Sequence, residues 1–274
     1  MPAVNEHLDT RSGAIRPPKR PVSADGEPLA EFRLNLSFGG SRRAVAIRAT
    51  MKPLDQTGLL PILQQFDNEV VALAEEESAR KGKKISCCAG CGACCRQLVP
   101  VAAAEARRLA ALVESLEELR RSTIKRRFAD ALTAYERAGL LDRMATADQI
   151  PDEATRGELG LAVFHVGVPC PFLENESCGI YPDRPLACRE FLVTSPAENC
   201  RSPGPDNIER VPLPAALSET FYRFSATGER QPARWMPLVL ALRYAEEAGA
   251  EPLPRQPGGE FVQKFLGQLA NKPG

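Results

Sequence analysis

The stretch Ser86 to Cys95 reads Ser-Cys-Cys-Ala-Gly-Cys-Gly-Ala-Cys-Cys and holds five of the nine cysteines in the chain. Four of them follow the spacing Cys-x-x-Cys-x-x-Cys-Cys, beginning at Cys88. Thiolates bind zinc and iron, and a Cys-x-x-Cys step lets two of them reach one ion at about 2.3 Å. A helix would place Cys88, Cys91 and Cys95 on one face, whereas the two glycines in the stretch favour a tight loop. Both geometries predict a metal or cluster site.

Four more cysteines follow much later in the chain, within Cys-Pro-Phe-Leu, Cys-Gly-Ile-Tyr and Arg-Pro-Leu-Ala-Cys-Arg and then alone. Pro185 suits the first turn of a short helix, which would place Cys188 near the positive end, where a thiolate is stabilised. Arg184 and Arg189 are expected to offset part of the thiolate charge. Setting Cys87 aside, the upstream and downstream cysteines would fill two tetrahedral four-sulfur sites, or one cluster with cysteines to spare.

These motifs, in this order, resemble the CxxCxxCC family of zinc- or iron-chelating domains, also called YkgJ-like cysteine cluster proteins. The resemblance covers roughly residues 86 to 200 and implies bound zinc or iron, the iron either as an ion or as an iron–sulfur cluster. The ligands that it implies are Cys88, Cys91, Cys94, Cys95, Cys170, Cys178, Cys188 and Cys200. Cys87 is not part of the pattern and is held apart from these ligands.

The resemblance also leaves the use of the metal open. The first hypothesis is a metal-binding protein in which the ion builds the fold or is carried. The second is a metal- or cluster-dependent enzyme that modifies proteins, because one similar branch is the flagellin lysine N-methylase; no catalytic residue can be assigned. The third is a zinc-stabilised module that binds a partner protein. The sequence lacks the phosphate-loop, dinucleotide-fold and His-Glu-x-x-His signatures of common enzymes.

Composition narrows the class of protein further. Lysine plus arginine equals aspartate plus glutamate, 35 against 35, so no global field favours nucleic acid or an acidic membrane. No apolar run approaches the roughly 18 residues that a membrane helix needs. Residues 1–20 are polar and proline-rich and lack the apolar segment of a secretory signal. We therefore expect a cytoplasmic protein. Because the cytoplasm is reducing, and because the nine cysteines are clustered and odd in number, metal binding is favoured over disulfides.

The predicted fold is mainly α, of the α+β class, with helices around a cysteine-rich metal-binding core and a short N-terminal β-hairpin. Alternating apolar residues from Phe32 to Phe38, the turn Gly39-Gly40 and a returning strand through Val45 predict the hairpin. Apolar stripes predict helices over residues 56–80, 102–119, 122–138, 213–224, 235–248 and 261–269. The predicted organisation is a flexible tail (1–28), hairpin plus helix (29–85), metal-binding domain (86–200) and C-terminal helical extension (201–274).

Several local expectations remain. Residues 140–158 are predicted to form an irregular loop, and residues 161–168 a short strand or buried segment. His165 lies in that segment and is expected to be a core residue rather than a ligand. Tyr181 is expected either to place its hydroxyl on a thiolate or substrate or to pack under the loop. Phe221, Trp235 and Met236 are expected in the core, although they could line a pocket.

Overall fold

The computed structural model describes residues 21–22, 26–88, 90–204, 206–225, 235–249 and 252–271. Its helices are α1 (Gln56–Arg80), α2 (Ala103–Ser115), α3 (Glu118–Arg137), α4 (Leu141–Ala145), α5 (Glu153–Val166), α6 (Leu186–Glu190), α7 (Leu217–Ser225), α8 (Ala241–Glu247) and α9 (Gly258–Ala270). Its strands are β1 (Leu29–Phe38), β2 (Ser41–Thr50), β3 (Pro53–Leu54), β4 (Pro100–Val101), β5 (Leu173–Glu174), β6 (Ser177–Cys178), β7 (Met236–Pro237) and β8 (Gln256–Pro257). The predicted fold class is confirmed. Most of the predicted tail, including His7, lies outside the described residues.

The N-terminal hairpin follows the predicted register. Strands β1 and β2 pair antiparallel along their whole length, from Leu29 opposite Thr50 to Phe38 opposite Ser41. Phe32, Leu36 and Phe38 are buried on the face that packs against α1 and α9. The alternation of apolar and polar residues therefore turns one face of the hairpin into a wall of the core.

A single carboxylate ties the hairpin turn to α1. The Glu77 carboxylate accepts hydrogen bonds from the Gly40 amide and the Ser41 hydroxyl, both at 3.1 Å. It also forms an ion pair with Arg80 at 2.6 Å. These partners, Arg80 first, hold the pKa of Glu77 far below its usual range. Gly39 has a positive φ of 55°, and a Cβ there would lie 2.2 Å from the Glu77 carboxylate. The turn thus depends on glycine for both conformation and space.

The largest apolar core joins the two ends of the chain. It contains Leu59 and Phe66 of α1 together with Phe221 and Phe265 from the C-terminal helices. The ring centroids of Phe221 and Phe265 are 6.4 Å apart. The residues predicted as an N-terminal unit and a C-terminal extension therefore share one core, while the division of the chain into domains remains a prediction.

A second core supports the cysteine region. It packs α2, α3 and α8 around Phe172, whose ring meets that of Phe128 edge-on at 5.4 Å. Cys170 and Cys178, which precede and follow Phe172 in the sequence, both pack against this cluster. The pairing of β4 with β7 (Val101 opposite Met236) closes the cluster. The second core thus positions two of the predicted ligands.

Residues 140–166 differ from the prediction because helical caps outweigh local polarity. The predicted loop contains α4, and the predicted strand over 161–168 is the second half of α5. The Asp152 side chain caps α5 by accepting from the Thr155 amide at 2.7 Å, and Gly167, with φ 76°, ends it. Leu159 and Val163, four residues apart, are buried on one face. The expected loop and strand were both wrong, and of the alternative, a buried segment over 161–168, only Val163 is fully buried.

Other helix boundaries need smaller corrections. The predicted helices over 56–80 and 122–138 are confirmed as α1 and α3, and the last is confirmed as α9. Leu119, assigned to the apolar stripe of α2, instead lies in the first turn of α3 and is 81% exposed. The helix predicted from Trp235 begins only at Ala241, because Met236 pairs with β4. Among the described residues, no helix has the length and apolar character needed to cross a bilayer.

The turn of the hairpin provides a stability test. We expect Gly39→Ala to lower the free energy of unfolding by about 1–3 kcal/mol, because it strains a positive φ and displaces the Glu77 carboxylate. Gly160→Ala is the control: this glycine lies inside α5 with open space around it, so alanine should stabilise by roughly 0.5–1 kcal/mol. Urea unfolding of both variants measures the two changes. Equal stability of wild type and Gly39→Ala would contradict this role of the turn.

Candidate metal centre

The cysteine stretch forms a tight loop followed by a short 3-10 turn (Ala93–Arg96). The Cys91 amide donates to the Cys88 carbonyl at 3.2 Å, across a turn in which Gly90 has φ 83°. The Cys95 amide then donates to the Gly92 carbonyl at 3.0 Å. Of the two geometries left open by the sequence, the structure shows the loop.

This loop is packed against the β5–β6 hairpin. A Cβ on Gly92 would lie 2.8 Å from the Glu176 carboxylate and 2.8 Å from the Leu173 side chain. Arg96 donates to the Gly92 carbonyl at 2.9 Å and to Glu176 at 2.7 Å. The close approach requires glycine, and it brings the hairpin that carries Cys178 against the upstream cysteines.

Cys170 and Cys178 join the first half of the motif through the backbone. The Cys170 amide donates to the Cys95 carbonyl at 2.6 Å. Cys178 lies opposite Leu173 in the β5–β6 pair, and the Gly179 amide donates to the Phe172 carbonyl at 2.8 Å. Residues that are far apart in the sequence are therefore fixed next to each other.

Cys188 is carried by α6, whose position is set by a buried carboxylate. Glu105 accepts from the Ala102 amide at 2.8 Å and from the Leu186 amide at 2.9 Å. It thereby joins the first turn of α2 to the first turn of α6. Burial raises the pKa of Glu105 to about 7, against the opposing effect of the two amide donors. The short helix predicted after Pro185 is confirmed.

The expected stabilisation of a Cys188 thiolate is not observed. Burial, and then the neighbouring Cys170, Cys94 and Cys178, raise the pKa of Cys188 well above its ordinary value. One short helical turn offers little positive potential, so the loss of hydration decides the direction. The Cys188 thiolate therefore needs a cation close to it.

The Cys94–Cys95 pair shares a hydrogen bond between its thiols. This bond lowers the pKa of Cys94 to about 7, with Arg184 contributing, and raises the pKa of Cys95. Burial raises the pKa of Cys178, and Arg184 opposes this shift. The expected charge compensation by Arg184 therefore holds. Arg189 instead points away, donating to the Arg184 carbonyl at 3.0 Å and to Asn68 at 2.9 Å.

Cys200 lies in a separate small apolar cluster. It is 4% exposed and packs with Ala93, Val193 and the half-buried Cys91. The Ser86 amide donates to the Val193 carbonyl at 2.9 Å, which holds the start of the cysteine loop against this cluster. The amide of Val193 in turn donates to the sulfur of Cys87. Cys87, which the motif does not include, thus faces the same cluster.

Thiol ligands are chemically suited to zinc or iron, but in the described residues the sulfur atoms are not arranged around a common position that an ion could occupy. All nine cysteines are free thiols. Burial, and after it the neighbouring thiols, raise the pKa of Cys170, Cys178 and Cys188, and Cys94 acts on all three. Among the described residues, no three Cys, His, Asp or Glu side chains are arranged to hold an ion. Metal binding would therefore require movement of these side chains.

Residues 87–203 match the sequence model of the CxxCxxCC family, described as "Putative zinc- or iron-chelating domain". This stretch is a CxxCxxCC domain. It begins at the cysteine loop and includes all the downstream cysteines, so the resemblance found in the motifs is confirmed for this part of the chain. Comparison with curated proteins gave no match, and comparison with solved structures gave none either.

Two motif-associated side chains lie elsewhere than expected. His165, expected in the core, is exposed near the end of α5 and touches the Phe164 ring edge-on at 6.1 Å. Tyr181 is 58% exposed, with the Arg184 guanidinium 3.7 Å from its ring centroid. It is therefore not packed under the loop. In the CxxCxxCC domain its ring keeps Arg184 in place beside the cysteines.

A buried carboxyl next to the CxxCxxCC domain was missed in the sequence. Asp67 of α1 is 0% exposed, and in the described part of the chain neither of its carboxyl oxygens has a hydrogen-bond partner. Burial, followed by nearby Glu190, raises its pKa well above the ordinary value, with Arg189 opposing. The signal was present: Asp67 lies four residues after Leu63, on the apolar stripe of α1.

This carboxyl predicts an unusual pH dependence. Because the folded state holds the Asp67 proton more tightly than the unfolded chain, its stabilising contribution is full below about pH 4 and declines as pH rises toward the folded pKa. We therefore expect Asp67→Asn to become more stable than wild type with rising pH, by at most about 1.4 kcal/mol per pH unit. Urea unfolding between pH 4 and 8 measures this, with the exposed Asp130→Asn as control. Parallel curves for wild type and Asp67→Asn would exclude the assigned pKa shift.

The Cys94–Cys95 pair makes a second prediction. In reduced, metal-depleted protein at pH 7, iodoacetamide should modify Cys94 roughly tenfold or more faster than Cys95, because thiolate is the reactive form. Peptide mass spectrometry of samples quenched over time reports both rates. Since both thiols are half-buried, each serves as the accessibility control for the other. Equal rates would contradict the hydrogen-bonded pair.

Proposed function

We propose that the CxxCxxCC domain binds zinc or iron through the eight motif cysteines and uses the metal to join separate segments of the chain. The main support is that the backbone brings cysteine-bearing segments from distant parts of the sequence together. The Cys170 amide donates to the Cys95 carbonyl at 2.6 Å, and Cys178 and Cys188 are carried by β6 and α6. The proposed ligands are Cys88, Cys91, Cys94, Cys95, Cys170, Cys178, Cys188 and Cys200.

The electrostatics of the thiols favour a bound cation. Without one, each thiolate that forms raises the pKa of its neighbours, as for Cys170 and Cys188. A zinc or iron ion reverses this effect, because a coordinated thiol is deprotonated by the ion itself. Binding of a structural zinc supplies on the order of 10 kcal/mol to folding, enough to hold loop-rich segments together.

The donor type limits the choice of metal to zinc and iron. Sulfur-only ligation suits tetrahedral zinc as well as an iron–sulfur cluster, and it disfavours magnesium and calcium. We also propose that the protein works in a reducing compartment such as the cytoplasm, because nine free thiols must remain unoxidised. Arg184, beside Cys94 and Cys178, would offset the negative charge that remains after four thiolates bind one divalent ion.

The proposal is tested by metal analysis after anaerobic purification. We expect zinc or iron in the wild type, and a loss of roughly half or more of it in Cys170→Ser, because this thiol lies at the junction of the two motif halves. Ser177→Ala, an exposed position in the adjoining hairpin, should keep the full content. Absorbance near 400 nm with acid-labile sulfide would identify iron–sulfur, and a colourless zinc protein would identify zinc. Folded wild type without metal, also after reconstitution, would overturn the proposal.

A further inference from the structure

We propose that a groove between α7, α9 and the first turn of α1 binds small organic anions, in which a phosphate or carboxylate group is attached to an apolar ring or chain. The groove has a volume of about 750 Å³, within the range of pockets that bind small molecules. Its described lining lies entirely outside residues 87–203. The inference therefore does not depend on the metal and adds a second site to the proposed function.

The floor of the groove is apolar and well packed. Phe224 of α7 and Phe261 of α9 both line it, and each is only 5% exposed. Their ring centroids are 5.9 Å apart in an edge-to-face arrangement. Because both rings belong to the largest core, this surface is already formed before a ligand arrives. An apolar ring or chain that covers it is removed from water, which favours binding.

Gly267 leaves the groove open along α9. It lies inside this helix and lines the groove, three residues after Lys264. Glycine is less favourable than alanine in the interior of a helix. Neither conformation nor packing requires it here, because its φ is not positive and no packed neighbour among the described residues lies within 4 Å of where a Cβ would be. Its missing side chain therefore adds space to the groove.

Three cations line the groove, and no carboxylate does so among the described residues. Arg255 donates to a backbone carbonyl at 2.7 Å, and Lys264 donates to the side-chain oxygen of Gln256. Arg223 donates to the Thr220 hydroxyl at 3.4 Å. All three acceptors are uncharged. These bonds therefore position the cations without neutralising them, and the groove attracts an anion.

The anionic group is expected between Arg255 and Lys264. Gln256 binds Lys264 and directly follows Arg255, so these two cations lie at the same end of the groove. Asp55, outside the lining, interacts with Arg255, but its carboxylate also caps α1 by accepting from the Gly58 amide at 3.0 Å. Guanidinium and ammonium groups bind phosphate and carboxylate through charge-assisted hydrogen bonds. One cation of each kind is available here.

A buried amide in the lining indicates a hydrogen-bond donor on the ligand. Gln56, the first residue of α1, lines the groove and is 7% exposed. Its Oε1 has no hydrogen-bond partner in the described part of the chain. A buried acceptor without a partner costs free energy, so a donor that reaches it is favourable. A hydroxyl or amine group on the bound molecule would supply this donor.

The experiment measures binding to the full-length protein by saturation-transfer NMR titration. The probes are phenyl phosphate and 3-phenylpropionate, with inorganic phosphate and benzyl alcohol as probes that carry only the charge or only the ring. We expect saturable binding of at least one phenyl anion with a Kd on the order of 1 mM, as for other ligands of about ten non-hydrogen atoms. Each of the two partial probes should bind roughly tenfold or more weakly.

Two variants locate the binding in the groove. Gly267→Leu places a side chain in the open space and should weaken binding about tenfold or more, while leucine is a better helix former than glycine. Lys264→Gln removes one cation and should weaken binding about threefold or more. Gly160→Leu, at an open position in α5, and Lys84→Gln, at an exposed lysine outside the groove, are the matched controls and should bind as wild type. Circular dichroism confirms that all four variants are folded.

The outcomes decide the proposal. Binding of only one of the two phenyl anions supports it and identifies the preferred head group. Wild type that binds neither anion saturably would overturn it. Unchanged binding by Gly267→Leu would place the anion elsewhere, for example at the metal, and would also overturn it. Inorganic phosphate or benzyl alcohol bound as tightly as the phenyl anions would show that the groove does not recognise charge and ring together, against the proposal.

Discussion

The fold of the cysteine region depends on one junction, where the amide of Cys170 donates to the carbonyl of Cys95 at 2.6 Å. This bond connects two motif halves that are far apart in the sequence. The close approach of Gly92 to Glu176, secured by Arg96, braces the same junction from the other side. These backbone contacts bring the cysteine-bearing segments together, and small side-chain movements would then suffice to reach thiol–metal distances of about 2.3 Å.

Buried charge is the second constraint, and it is distributed unevenly around the site. Glu105 is buried but accepts two backbone hydrogen bonds, so it orients α6 and Cys188 while keeping a pKa of about 7. Asp67 is buried with no hydrogen-bond partner among the described residues, and burial raises its pKa well above the ordinary value. Arg184 interacts with Cys94, and Arg96 with Cys95, whereas Arg189 is engaged by carbonyl groups and Asn68.

Periodicity and spacing predicted much of this structure. The alternation from Phe32 to Phe38 and the stripe along α1 correctly gave the hairpin and the long helix, because one face of each must be buried. The cysteine spacing gave the family of the domain. Periodicity failed for α5, where the apolar run concealed a helix whose limits are set by Asp152 and Gly167. The sequence of an apolar segment alone does not show which of its faces will pack against the rest of the protein.

The same limit applies to the site. The sequence could not show that Cys87 meets Val193, that Arg189 turns away from the thiols, or that Glu105 bridges two helices, since each contact joins distant segments. The helix-dipole argument for Cys188 failed for a related reason: it considered the local element and not the burial that surrounds it. Long-range packing decides these features, and a single sequence does not display it.

The central claim is that thiolates of the CxxCxxCC domain hold the metal, and X-ray absorption at the metal edge tests it most directly. The anaerobically purified full-length protein should show sulfur-only coordination, with about four sulfurs per metal at about 2.3 Å. Iron–iron scattering in addition would identify a cluster, still with sulfur ligands. A first shell of nitrogen and oxygen, in protein whose cysteines remain reduced, would contradict the account.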